Sequence, residues 1–142
     1  MTFVAVNLND EIWLICGGRD FSDQALFDQV MSDIIGMYGM PRKVVHGDAL
    51  GADQMAAAWA NRHAIEVCAV PADWQAHGRA AGPIRNEEML TKQRPRRVIA
   101  FPGGRGTADM VERARKRKGE VDLIQYEGNP GSFRVYPRAV ND

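Results

Sequence analysis

The chain has 142 residues, 45% of them hydrophobic and 25% charged, with 18 basic and 18 acidic side chains and a formal net charge of zero. That length suits one domain with a real core, and the charge balance argues against a non-specific nucleic-acid binder, which needs a basic surface. No apolar run approaches membrane-spanning length and the first residues lack the layout of a signal peptide, so a cytoplasmic protein is expected.

In chain order, Phe3, Val4, Val6 and Leu8 suggest a short strand ending at Asn9-Asp10. Residues 11–16 form a nearly continuous apolar run, the mark of a strand covered on both faces, and they break at Gly17-Gly18-Arg19-Asp20. Ser22 is the expected N-cap of a first helix, with Phe21 and Leu26 spaced as a hydrophobic staple. Leu26, Phe27, Val30, Met31, Ile34, Ile35 and Tyr38 recur at helical spacing until Gly39 and Pro41 stop them. Lys43-Val44-Val45-His46 is a second strand, broken by Gly47-Asp48-Ala49-Leu50-Gly51 and followed by an alanine-rich helix. Trp59 on that helix reads as core or subunit interface. Residues 65–70 form a third strand, ended by Pro71-Ala72-Asp73-Trp74. Residues 75–82 show no period and read as a loop, with Pro83 placed to open a third helix running to about Gln93. The fourth strand, Arg97 to Phe101, leads through Pro102-Gly103-Gly104-Arg105-Gly106 into a fourth helix expected to open at Thr107. Its basic end (Arg113, Arg115, Lys116, Arg117, Lys118) reads as a solvated helix terminus that complements the dipole. Residues 121–126 form a fifth strand, residues 128–131 a turn, and residues 132–136 an edge strand. Cys16 and Cys68 share no spacing motif, so buried reduced thiols are expected rather than a disulfide.

Strands alternating with helices at this spacing predict a single Rossmann-like α/β/α domain over residues 1–142, with a mainly parallel sheet of about five strands. Ligands of such sheets bind beyond the carboxyl ends of the strands, where strand order reverses. The loops at 17–20, 47–53, 71–74 and 102–107 each follow a strand and must share that edge. The last is the most informative. A strand turning into a helix through three glycines leaves backbone N–H groups bare at the positive end of the helix dipole, and an anion such as phosphate is the natural guest. Gly103, Gly104, Arg105, Gly106 and Thr107 are the phosphate-loop candidates, with Thr107 as N-cap, phosphate contact or both. Arg19 and Arg85 are candidate guanidinium clamps.

Asp48, Asp53 and Asp73 bring carboxylates to the rim, either to contact ribose hydroxyls, to stabilise a developing sugar cation, or to cap helices. Trp74 offers a ring for stacking on a base or for packing under the following loop. His46 and His77 read as hydrogen-bonded bystanders as readily as acid–base groups. Asp48, Asp73 and His46 offer donors that Mg²⁺ accepts, but no spacing demands a metal, and no cofactor is predicted.

Five ordered motifs resemble the YspA branch of the SLOG superfamily across roughly residues 11–125. They are Cys-Gly-Gly-Arg-Asp-Phe (16–21), His-Gly-Asp-Ala with Gly-Ala-Asp (46–53), Pro-Ala-Asp-Trp (71–74), Ala-Gly-Pro-x-Arg-Asn-x-x-Met (81–89) and Phe-Pro-Gly-Gly-x-Gly-Thr (101–107). The resemblance implies a nucleotide-type small-molecule ligand held by Gly17, Gly18, Arg19, His46, Gly47, Asp48, Asp53, Trp74 and Asn86, and a homodimer. It also implies a distant similarity to LOG phosphoribohydrolases, which cleave the N-glycosidic bond of nucleoside 5′-monophosphates. In those, an arginine like Arg85 and a glutamate at the position of Met110 complete the site. Methionine cannot do that work, and Asp109 lies about 100° round the helix from it. The expected function is therefore ligand binding as sensor or carrier. The alternative is a hydrolase using Arg85, Asp48, Asp73 and Asp109.

Overall fold

The computed structural model describes residues 9–117, 119–126 and 133–136. The strand expected near residues 3–8 and the turn at 128–131 lie outside the described residues. Strands β1 (Ile12–Cys16), β2 (Lys43–His46), β3 (Glu66–Ala69), β4 (Arg97–Ala100) and β5 (Asp122–Tyr126) are parallel, in the order β3-β2-β1-β4-β5. An antiparallel β6 (Phe133–Tyr136) closes one edge.

Side chains alternate along each strand, and two helical layers take up the two faces. On one face Trp13, Ile15, Val44, Ile99 and Phe101 meet α1 (Gln24–Tyr38) and α2 (Ala52–Arg62). On the other, Leu14, Cys16, Val45, Val98 and Ala100 meet α4 (Ala81–Gln93) and α5 (Arg105–Arg115). Double coverage is why β1 and β4 read as unbroken apolar runs. Trp59 is buried in its own chain's core, so it offers nothing to a partner subunit. Cys16 and Cys68 are both free. No helix among the described residues is long and apolar enough to cross a membrane.

Several boundaries differ from expectation. Asp23, not Ser22, caps α1, its carboxylate accepting from Leu26 N–H at 3.0 Å. The stretch read as a loop is helical: α3 (Trp74–His77) and a 3₁₀ turn (Gly78–Ala80) run into α4, which opens at Ala81 rather than Pro83. Asp73 starts this segment by accepting from Ala76 N–H at 3.0 Å, and one turn is too short to display a period. Helix α5 opens at Arg105 with Gly104 as N-cap, so Thr107 is a first-turn residue and not the cap.

At the amino ends of the strands, buried Arg97 forms a bidentate pair with Glu11 (2.8 and 3.0 Å), a second pair with Asp122, and lies over the Tyr38 ring at 3.3 Å. This cluster ties β1, β4 and β5 together at the end away from the glycine-rich loops. The basic run on α5 is absorbed locally: Arg113 pairs with Asp109 and Glu87, and Arg117 with Glu87 and Glu120.

Candidate functional site

Strand order reverses between β1 and β4, and the loops that leave these strands are laced together by main-chain hydrogen bonds. Phe101 N–H donates to Cys16 O (2.9 Å), Gly18 N–H to Pro102 O (2.8 Å), and Ala52 N–H, at the start of α2, to Gly18 O (3.2 Å). Such close backbone approach leaves no room for side chains. A Cβ at Gly17 would meet Ala52 Cβ at 2.6 Å, one at Gly18 would meet Gly103 Cα at 2.9 Å, and one at Gly103 would strike Thr107 and Gly18 N. Gly51 needs glycine twice over, for its φ of +73° and for its contact with Gly18 O.

A cleft of about 700 Å³ opens above this lacing and draws residues from all four loops predicted to share one edge. Gly104 and Gly106 differ from the glycines beneath them. Neither has positive φ, and a Cβ at either meets no atom within 4 Å. Both line the cleft. Packing therefore does not ask for glycine at either position. At Gly106, inside α5, glycine costs the helix about 1 kcal/mol relative to alanine, whereas Gly104 is the N-cap with ψ −140°, a place that itself suits glycine. No side chain caps α5, so its first-turn N–H groups and the positive end of its dipole are presented to the cleft.

The charged side chains around that opening are all arginine or aspartate: Arg19, Arg79, Arg85 and Arg105 against Asp48, Asp53 and Asp109. Half-buried Arg85 is held in place by donating from Nη1 to Gly47 O and, at 3.4 Å, to Val70 O, and from Nε to Asn86 Oδ1 at 3.0 Å. Its Nη2 makes no hydrogen bond among the described residues. Burial pushes the Arg85 pKa below its ordinary value, against the attraction of Asp53. Asn86 is buried and bridges α4 to α5, donating to Gly106 O (3.2 Å) and Asp109 Oδ2 (2.9 Å). Burial opposes ionisation of Asp109, but hydrogen bonds from Arg113 and Asn86 outweigh it and hold the carboxyl below the usual range.

Asp53 lines the cleft yet is only 5% exposed. Burial pushes its pKa up to about 6, over the opposing pull of the Ala49 and Gly47 N–H groups and of Arg85. Asp48 is exposed, lines the cleft, and takes a φ of +59°, with its N–H donated to His46 Nδ1 at 2.9 Å. Aspartate tolerates that left-handed conformation better than most residues. Burial raises the Cys16 thiol's pKa, reinforced by Asp53, so this cleft-floor sulfur stays protonated.

Trp74 is 60% exposed and lines the cleft, its ring leaning towards Gly82. Packing beneath the following segment would have buried it. Leu50, also 60% exposed, lines the same cleft. Exposed apolar side chains of this size at the rim of a polar cleft supply the flat, dry contact an aromatic ligand needs.

Of the residues predicted from sequence, Gly17, Gly18, Arg19, Gly47, Asp48, Asp53, Trp74, Arg85, Asn86, Gly104, Arg105, Gly106, Thr107 and Asp109 line this cleft. Three do not. Asp73 is occupied as the α3 cap. His46 is buried below the loop, where desolvation lowers its pKa. Gly103 serves the packing against Gly18 and Thr107. The trio Asp48, Asp73 and His46 is thus not assembled at the cleft, and the described residues contain no cluster of three or more metal-binding side chains. Arg79 and Leu50 were not anticipated. The signal for Arg79 was hidden in a segment that only the Asp73 cap marks as helical.

A parallel sheet with helices on both faces, and a polar cleft at the carboxyl ends of its strands where their order reverses, defines a Rossmann-like protein. The chain belongs to the YspA, cpYpsA-related SLOG family, whose model matches residues 13–77, from β1 through α3. It is 36% identical over 124 residues to the Gene 61 protein of Mycobacterium phage D29, an alignment covering 82% of this chain and 97% of the phage protein. A looser likeness, at 16% identity and a TM-score of 0.43, relates 85% of the chain to phosphoribosylglycinamide formyltransferase from Coxiella burnetii. The chain spans 53% of that enzyme, and nothing about the enzyme's reaction carries over.

Proposed function

We propose that the chain binds a nucleotide or nucleotide-derived ligand as a sensor or carrier, with a phosphate on the Gly104–Thr107 turn and the base against Trp74. The carrying observation is Gly106, a cleft-lining glycine inside α5 that neither a positive φ nor the surrounding packing requires. Bare α5 N–H groups and the Nη2 of Arg85, which makes no hydrogen bond among the described residues, would supply the charge complementarity. Asp48 is placed to accept from sugar hydroxyls. The direct test is titration of wild type and Gly104→Leu with a panel of nucleoside 5′-monophosphates, ADP-ribose and the bare nucleosides, followed by calorimetry. Phosphorylated members should bind wild type and lose affinity in the variant, with its folding verified by circular dichroism. Equal affinity in both proteins would refute the assignment.

One observation favours the hydrolase alternative. Met110 is buried and cannot act as the glutamate of a LOG-type site, but Asp109 reaches the same cleft, fixed by Asn86 and Arg113. A fixed, ionised carboxylate beside a ribose would stabilise positive charge developing at the anomeric carbon. Incubating the same panel with the protein and looking for free base by chromatography separates the two readings. Binding without release of base retires the hydrolase.

A further inference from the structure

Given the anion site proposed above, we propose that Asp53 makes the cleft proton-linked, so that a phosphorylated ligand enters together with a proton taken up by this carboxylate.

The three cleft carboxylates differ in what screens them. Asp109 is committed to Arg113 and Asn86, and Asp48 is open to water. Asp53 alone is at once cleft-lining and nearly inaccessible, with Oδ2 accepting from Ala49 N–H at 3.1 Å. The groups that act on it come from every side: Arg85 from α4, Asp48 from the loop before α2, and Cys16 from β1, with the neutral thiol carrying no charge to the pair. Arg19, Arg79 and Arg105 line the same cleft, and His46 lies beneath Asp48.

With the cleft empty, Arg85 is the cation that favours ionised Asp53, and even so burial holds the carboxyl's pKa up at about 6. An oxyanion seated on the α5 N-terminus draws on the same Arg85 charge and adds a like charge where solvent screens poorly. Both changes disfavour ionised Asp53. By linkage, whatever the anion does to the proton affinity of Asp53, the proton does to the anion affinity. A one-unit rise of the Asp53 pKa in the complex makes binding about fivefold tighter at pH 6 than at pH 8, approaching about tenfold at lower pH.

The experiment uses two probes whose own charge is constant between pH 5.5 and 8, sulfate and ADP-ribose, so that titration of a phosphate monoester does not intrude. Their affinities for wild type, Asp53→Asn and Asp48→Asn are measured by calorimetry across that range, in buffers of different ionisation heat to count protons. Wild type and Asp48→Asn should bind about sevenfold tighter at pH 5.5 than at pH 8 and take up protons near pH 6.5. Asp53→Asn should show a flat profile and at pH 8 should match or exceed wild type. A flat wild-type profile, or an unchanged slope in Asp53→Asn, would overturn the proposal while leaving the anion site standing. Absence of binding by either probe at every pH would instead remove the anion site and the proton linkage with it. If Asp53→Asn fails to fold, the wild-type proton count decides alone: no uptake on binding refutes the linkage.

Discussion

Replacing Gly106 with alanine should stabilise the protein and weaken it as a binder, a combination that only a reserved space explains. Gly106 lies in the first turn of α5 with ordinary helical φ, and a Cβ there meets nothing within 4 Å. Alanine in a helix is favoured over glycine by about 1 kcal/mol, and less near a terminus, so a gain of roughly 0.5–1 kcal/mol is expected. For a chain of this size that corresponds to about 2–3 °C in Tm. The methyl group would stand where a phosphate approaches the amides of the first turn. Displacing the phosphate from one charge-assisted hydrogen bond costs roughly 1.5–3 kcal/mol, a loss of about 10- to 150-fold in affinity. Differential scanning calorimetry gives the first number and ligand titration the second. A stabilised variant with unchanged affinity for every phosphorylated member of the panel would refute the reasoning, because the open space above Gly106 would then be unused.

Arg85→Ala should weaken phosphorylated ligands by about tenfold or more and the matching bare nucleosides by much less, since one charge-assisted contact is lost only with the phosphate; equal losses in parallel titrations would remove Arg85 from that role. Trp74→Ala should cost about 1–3 kcal/mol of affinity for ligands carrying a base, the range for aromatic stacking, and should leave Tm nearly unchanged because the ring is exposed; loss of ligand-induced quenching of tryptophan fluorescence checks it. Arg97→Ala should destabilise by about 3–5 kcal/mol, because it removes the buried guanidinium that pairs with both Glu11 and Asp122, yet affinity of the remaining folded protein should be unchanged. Asp53→Asn should be more stable than wild type at pH 8 by up to about 3 kcal/mol, from a native pKa about two units above the 3.8 of an unperturbed aspartate. The sign follows from the raised pKa: the advantage of the protonated form is complete below pH 4 and lost as pH rises through about 6. The difference between the two melting profiles should therefore open between pH 4 and pH 6.

What could be read from the sequence was whatever leaves a repeating or long-range trace. Residues 11–16 and 97–101 announced buried strands because coverage on both faces removes the polar half of the alternation. Once those strands were parallel, the loops at their carboxyl ends had to converge, so most of the cleft followed from topology. Short-range choices were not legible. Ser22 and Asp23 are both good caps, and which one closes α1 depends on where the first turn docks. The four residues of α3 are too few to show a helical period, which is why Arg79 went unnoticed. Nor could the burial of Asp53 be inferred. An acid in the first turn of a helix is ordinarily a solvated dipole partner, and only the overlying loop turns it into a shielded one.

The glycines show most clearly where sequence stops and geometry begins. Gly103, Gly104 and Gly106 belong to one motif and look interchangeable as letters. In the fold, Gly103 is small because Gly18 and Thr107 press on it, so its substitution is a stability experiment. Gly104 and Gly106 face nothing within van der Waals reach, so their substitution is a binding experiment. A chain selected only to fold would place a helix-favouring residue at Gly106, inside α5, and gain stability from doing so, whereas at the N-cap Gly104 glycine is itself a favoured residue. Glycine at position 106, in the first turn of a helix that no side chain caps, has no structural reason of that kind, and the proposed ligand would supply one.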